Sequence, residues 1–183
     1  GDHPDGIQML AVDNVTPRDI VIRGNFLFDD PATTGGGGTQ YGMQGIFLDD
    51  AGASGYQNII IEQNLLLSGH PNAIFLSDGK KGCVIRHNSL RSWKPDGGGA
   101  QIRIVKDCSG TEVYGNVSSA IGVVEQVGTR ANIHDNVQHA NNDDHLFEPW
   151  EKSWKALLPK AGSQIDFGSA FGAQARLKEL LAA

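Results

Sequence analysis

The sequence predicts an all-β solenoid: a parallel β-helix of five to six coils closed by a short helical C-terminal cap. Three observations predict it. Five segments end in asparagine with the same apolar spacing before it. A second short apolar strand precedes each of them at a nearly fixed distance. Glycine makes up 24 of the 183 residues, well above the usual roughly 7%, and follows no Gly-x-y period, so it marks many tight turns.

The asparagine-ended segments are RDIVIRGN, YQNIIIEQN, KGCVIRHN, SGTEVYGN and TRANIHDN, closing at Asn25, Asn64, Asn88, Asn116 and Asn136. Three places before each stands Ile22, Ile61, Ile85, Val113 or Ile133, and five places before stands Ile20, Ile59, Cys83, Thr111 or Ala131. That period of two is one face of a strand. The preceding strands are GIQML, GIFLDD, AIFLSD, QIRIVKD and IGVVEQ. With Ile7, Ile46, Ile74, Ile102 and Gly122 taken as equivalent, the spacings to the asparagine are 18, 18, 14, 14 and 14, and the coil lengths are 39, 28, 28 and 20. Insertions therefore fall in loops, the largest being DDPATTGGGGTQYG. Helices do not fit a two-periodic, Gly-punctuated pattern, and a β-sandwich would not put the same residue in every coil. Coils stacked at about 4.8 Å bury like on like. Asparagine tolerates a left-handed turn backbone, and its amide can hydrogen-bond along a column. Asn25, Asn64, Asn88, Asn116 and Asn136 are thus expected to form a structural ladder.

The coils occupy residues 1–148, and residues 149–183 form a capping segment with two short helices. PWEKSWKALLP places Trp150, Trp154, Leu157 and Leu158 on one helical stripe, and GAQARLKELLAA places Ala173, Leu177, Leu180 and Leu181 on another. Ile165 and Phe167 are expected in a short strand between them. No helix precedes the first strand, so upstream coils or another chain are expected to cover that end. Gly1 is read as the start of a mature, cleaved or cloned form.

Composition excludes several classes. The net charge is −6 with no Lys/Arg cluster, which disfavours nucleic acid and anionic membranes as partners. No stretch approaches the roughly 20 apolar residues of a membrane span. Two cysteines, Cys83 and Cys108, make neither a disulfide framework nor a metal site. They are expected as a small buried residue and a turn residue.

With DHPDGIQ followed by DIVIRGN and NIIIEQN, the chain resembles bacterial right-handed parallel β-helix proteins of the pectate-lyase-like superfamily. The HPDGIQ-type coil is similar to a group found in secreted, often calcium-associated proteins and in phage-borne ones. The resemblance covers roughly residues 2–148. It implies right-handed coils, in line with the general hand of parallel crossovers, and an extracellular, secreted or virion-surface location. Members include polysaccharide lyases, hydrolases, C5-epimerases and trimeric phage tail spikes, so the fold does not choose an activity.

A lyase or epimerase acting on a uronic acid needs a group to neutralise the carboxylate, a base for the C5 proton and an acid. A hydrolase needs two carboxylates about 5–10 Å apart. With the first-strand isoleucines inward, Gln8, Phe47, Phe75, Arg103 and Val123 point outward. Arg103 is the base of that row, with Lys106 and Asp107 beside it, so Arg103, Lys106 and His70 are the catalytic candidates. The opening His3-Pro4-Asp5-Gly6-Ile7-Gln8 recurs as His70-Pro71-Asn72-Ala73-Ile74-Phe75. It reads as a turn, or as one edge of successive subsites about 10 Å apart. The substrate-binding candidates are His3, Asp5, Phe47, Phe75 and Arg103. Stacked Phe47 and Phe75 suit sugar rings, a covering loop or another subunit.

On the other sheet Arg23, Glu62, Arg86, Tyr114 and His134 point outward, as a solvated ladder or a shallow groove for a glycan. Asp49, Asp50 and Asp78, with Asp107, gather at the turn after the first strand, as turn-formers or as hard oxygen ligands for Ca²⁺. The pairs Asp29-Asp30 and Asp143-Asp144, the latter near His145 and Glu148, are lesser clusters.

Function is expected in polysaccharide recognition, as part of a lyase, epimerase or hydrolase acting on an acidic glycan, with catalysis left open. The alternatives are a non-catalytic homotrimeric tail-spike or adhesin module and a structural piece lacking its active groove.

Overall fold

The structure, a computed structural model, describes residues 5–29, 42–93, 99–124, 131–139, 145–149 and 153–183. The chain passes five times through three sheets in the same order. The first circuit contributes β1 (Asp5–Met9), β2 (Arg18–Arg23) and β3 (Phe26–Phe28), and the second β4 (Gln44–Leu48), β5 (Tyr56–Glu62) and β6 (Leu65–Leu67). The third contributes β7 (Asn72–Ser77), β8 (Gly79–Lys81), β9 (Cys83–Arg86) and β10 (Ser89–Arg91). The fourth has β11 (Gln101–Val105), β12 (Thr111–Tyr114) and β13 (Val117–Ser118), and the fifth β14 (Ile121–Val124), β15 (Asn132–Ile133) and β16 (Val137–Gln138). A 3₁₀ turn (Trp154–Leu157) and one α-helix, α1 (Gln174–Ala182), follow. The first sheet runs β1-β4-β7-β11-β14, the second β2-β5-β9-β12-β15 with β8 beside β5, and the third β3-β6-β10-β13-β16. Every strand pairing in them is parallel.

The apolar residues line up in files across the circuits. On the first sheet Ile7, Ile46, Ile74, Ile102 and Ile121 are in register. On the second, Ile22, Ile61, Ile85, Val113 and Ile133 are. On the third, Leu27, Leu66 and Leu90 are. A single cluster draws buried members from all three sheets, and each fully buried Ile or Leu contributes roughly 1.5–3 kcal/mol. The fifth circuit corrects the sequence alignment by one residue. Ile121, not Gly122, continues the isoleucine file, and Gly122 takes the outward position beside Arg103 in place of Val123. The apolar side chain keeps the core register, and the extra residue is absorbed before Asn136.

The asparagines form one continuous chain of hydrogen bonds. Asn25 Nδ2 donates to Asn64 Oδ1 (3.0 Å), Asn64 to Asn88 (2.9 Å), Asn88 to Asn116 (2.9 Å) and Asn116 to Asn136 (2.9 Å). The backbone N–H of each donor residue reaches the same Oδ1 at 2.9–3.1 Å. The Nδ2 groups also donate to strand carbonyls one circuit back, such as Ile22 O, Ile61 O and Ile85 O. The left-handed backbone belongs to a different residue than expected. It falls on the preceding position: Gly24, Gln63, His87, Gly115 and Asp135, with φ of 69°, 54°, 52°, 66° and 47°. Glycine adopts that conformation without strain at two of the five places. The asparagine is thereby free to aim its amide along the column and at the strand carbonyls.

In its middle circuits, β6, β10 and β13, the third sheet is buried on both faces. Leu65, Leu67, Val117 and Val137 pack against Leu157, Ile165, Ala173 and Leu177 from the C-terminal segment. Arg91, almost fully buried, donates from Nη1 to Glu148 O (2.9 Å) and Ala156 O (2.7 Å) and lies over the Phe147 ring at 5.1 Å. The N-terminus of α1 is capped by other elements, since Ala173 offers no side-chain cap. Ser89 Oγ accepts from Ala173 N (2.8 Å), and Gln63 Oε1 from Ala175 N (3.1 Å). Two expectations for this segment change, and a third lies outside the structure's description. Ile165 and Phe167 lie in turns, not a strand. Leu181 is exposed. Trp150 falls outside the described residues.

Replacing Asn88 by alanine strands the Asn64 N–H, its Nδ2 and the Ile61 carbonyl in a buried site. We expect a loss on the order of 3 kcal/mol, read by urea unfolding. Asn25→Ala, at the partly exposed end of the column, is expected to lose about 1 kcal/mol.

Candidate functional site

On the outer face of the first sheet Gln8, Phe47, Phe75, Arg103 and Gly122 are in register. The Phe47 and Phe75 rings stack at 4.7 Å with 24° between planes, and Arg103 occupies the next place in the file. Arg103 Nη1 donates to Asn72 Oδ1 (2.8 Å), Asn72 Nδ2 donates to Gln44 Oε1 (2.5 Å), and Asn72 N–H donates to His70 Nδ1 (2.9 Å). His70 and Arg103, candidates from two circuits, are therefore joined through Asn72. Asn72 and Gln44 were not distinguished in the sequence; Asn72 read only as part of a turn. All of β7 is buried, Phe75 at 9% exposure, and so is His70 just before it at 7%, whereas Phe47 and Arg103 are half-buried. The face is a sheltered floor with an aromatic edge and a guanidinium. Asp5 is in register with Gln44 at the first circuit, and His3 lies outside the described residues.

The aspartate turn lies at the far end of these strands. Asp50, Asp78 and Lys106 all have left-handed backbone, with φ of 48°, 55° and 57°. The third carboxylate place is thus taken by Lys106 and not by Asp107. Lys106 Nζ stands 3.9 Å from Asp49 Oδ1 and 3.7 Å from Asp78 Oδ2, so an ammonium occupies the position between these carboxylates. Among the described residues no three His, Cys, Asp or Glu side chains form a metal-ligating group. The pair Asp143-Asp144 and residue Asp30 lie outside the described residues.

The outer face of the second sheet carries Arg23, Glu62, Arg86, Tyr114 and His134 in one file. Arg23 and Arg86 both clasp Glu62, the latter from Nε to Oε2 at 2.6 Å. Arg86 Nη1 donates to Tyr114 Oη (2.9 Å), and the Tyr114 and His134 rings stack at 5.3 Å. Burial pushes the Glu62 carboxyl up, but the two guanidiniums outweigh it and hold the group below its ordinary 4.5.

One buried group not singled out in the sequence, Tyr56, ties a corner together. Tyr56 Oη bridges Met9 O (2.7 Å) and Asp49 O (2.8 Å). Burial first, and then Asp49 and Asp50, drive its phenol well above the ordinary range. Cys83 and Cys108 are free and buried. Burial pushes the Cys108 thiol up to about 11, which leaves it unreactive at neutral pH.

No described helix is long and apolar enough to cross a membrane. No protein-family model, curated protein or solved structure matches the chain.

The Glu62 contribution to stability has a defined pH window. The folded-state value is lowered, so the contribution is fully present above the ordinary 4.5 and disappears as the pH falls through the lowered value. Glu62→Gln is expected to destabilise the protein at pH 7 by roughly 1–3 kcal/mol and to flatten its stability loss on acidification. Thermal unfolding across roughly pH 3–7, the range in which carboxylates titrate, checks both.

Proposed function

We propose that the three sheets are the faces of one right-handed parallel β-helix, and that the outer face of the first sheet recognises an acidic polysaccharide. The observation that carries this reading is the file Phe47–Phe75–Arg103, where a stacked aromatic pair adjoins a guanidinium in consecutive circuits. Aromatic faces take the C–H face of a pyranose ring, and a guanidinium pairs with a uronate carboxylate. The repeat of about 4.8 Å between circuits suits an extended ligand running along the file. Three identical parallel pairings per circuit and a shared core support a closed β-helix, and right-handed crossovers are the general rule.

The reading is of binding rather than bond cleavage. Arg103 and His70 both spend hydrogen bonds on Asn72, and Lys106 is held by Asp49 and Asp78. These contacts fix the groups as a preorganised surface. An extracellular or virion-surface setting, where such glycans are met, accords with this role.

Affinity electrophoresis against alginate and pectate tests it. Arg103→Ala is expected to weaken retention about tenfold, Phe47→Ala several-fold, and neutral dextran to give none. Equal retention of the wild type and both variants would reject the site. Appearance of the ultraviolet band of an unsaturated uronide would show a lyase instead.

A further inference from the structure

Two cavities lie where the start of α1 meets the asparagine corner, and Gln63 lines both. The first, of about 310 Å³, is bounded by Arg23, Gly24, Gln63, Arg176 and Glu179. The second, of about 350 Å³, is bounded by Gln63, His87, Ser169, Gln174 and Lys178. Either volume suits a small molecule, for which sites run from roughly 300 to 1,000 Å³.

The charge here runs against that of the chain. Arg23, Arg176 and Lys178 line the two cavities against one carboxylate, Glu179, although the whole chain carries a net −6. The nearby Glu62 carboxylate is already shared by Arg23 and Arg86. Glu179 stands 3.2 Å from Arg176 Nη1, and its side chain is mostly exposed. Two guanidiniums beside one cavity thus keep positive charge to offer an anion.

Hydrogen-bonding capacity is left over as well. Gln63 Oε1 accepts from Ala175 N (3.1 Å) and Arg176 N (3.5 Å), and Ser89 Oγ accepts from Ala173 N (2.8 Å). These amides at the start of α1 are spent on protein partners, so a ligand would meet side chains. Arg176 Nε and Gln174 Oε1 are buried and have no hydrogen-bond partner among the described residues. An orphan donor therefore belongs to the first cavity and an orphan acceptor to the second. A carboxylate satisfies the one and a hydroxyl the other, and a sugar acid carries both.

We propose that the paired cavities bind a sugar acid, its carboxylate beside Arg23 and Arg176 and its hydroxyls beside Gln174 and Ser169. A free inorganic oxyanion shares the chemistry of the carboxylate but brings no hydroxyl array. Phe47, Phe75 and Arg103 line neither cavity, so this site does not rest on the reading of the first sheet.

Titration of the isotope-labelled protein, followed by NMR, tests it. Digalacturonate is expected to shift the side-chain signals of Gln63, Gln174 and Arg176 in a saturable way. Neutral galactobiose is expected to shift none of them, and inorganic sulfate to shift Arg176 alone at several-fold weaker affinity. Lys178 is exposed, and Lys178→Glu is expected to weaken digalacturonate about tenfold with an unchanged circular dichroism spectrum. Arg176→Gln is expected to weaken it at least as much. The titration is repeated on Arg103→Ala, in which the first-sheet file lacks its guanidinium, and the same shifts are expected there. No saturable shift with digalacturonate, equal shifts with galactobiose or sulfate, loss of the shifts in Arg103→Ala, or an affinity untouched by Lys178→Glu would overturn the proposal.

Discussion

The hydrogen-bonded file of asparagine amides is the constraint from which the other features follow. Each buried amide satisfies a neighbour's N–H and Nδ2 and returns a bond to a strand carbonyl, so the polar groups of Asn64, Asn88 and Asn116 are paired within the corner. A shift of one residue in any of the three inner circuits would break two steps of this file and turn that circuit's strand side chains to the opposite face. The column thus fixes register, and register fixes which side chains lie inward. The isoleucine files, the Phe47–Phe75 stack and the Arg23–Glu62–Arg86 clasp are all consequences of one alignment.

The three sheets then have different fates. The third is sealed by the C-terminal segment, pinned through Arg91 and through caps that α1 borrows from Ser89 and Gln63. The second stays polar and in contact with water, where opposite charges in successive circuits offset one another. The first combines a sheltered polar relay with an aromatic edge. The proposed binding reading rests on the stacked Phe47 and Phe75 rings beside Arg103 on that face.

Much of this was legible in the chain. Period-two isoleucines and the recurring asparagine identified parallel circuits, because like-on-like stacking repeats residue types at one position. The reading slipped where chemistry does not repeat. At the fifth circuit, Ile121-Gly122 offered two registers, and only core packing chooses Ile121. At the asparagine corner, sequence reasoning assigned the left-handed backbone to the asparagine because that residue type tolerates it, whereas the structure places it one residue earlier, on Gly24, Gln63, His87, Gly115 and Asp135. The aspartate turn read as a carboxylate cluster, yet Lys106 enters it from two circuits away, a contact no local pattern encodes. Arg91, Tyr56 and Asn72 lacked any signal because their partners are backbone carbonyls or side chains distant in sequence. The cap of α1 was hidden for the same reason.

Hydrogen exchange of the asparagine side-chain amides, followed by NMR, tests the central claim most directly. The account predicts slow exchange at Nδ2 of Asn64, Asn88 and Asn116, faster exchange at Asn25 and Asn136, and solvent-like exchange at Asn14 and Asn132, which lie outside the column. Uniformly fast exchange at all of these amides would contradict it, because a bonded and buried file cannot exchange like free side chains.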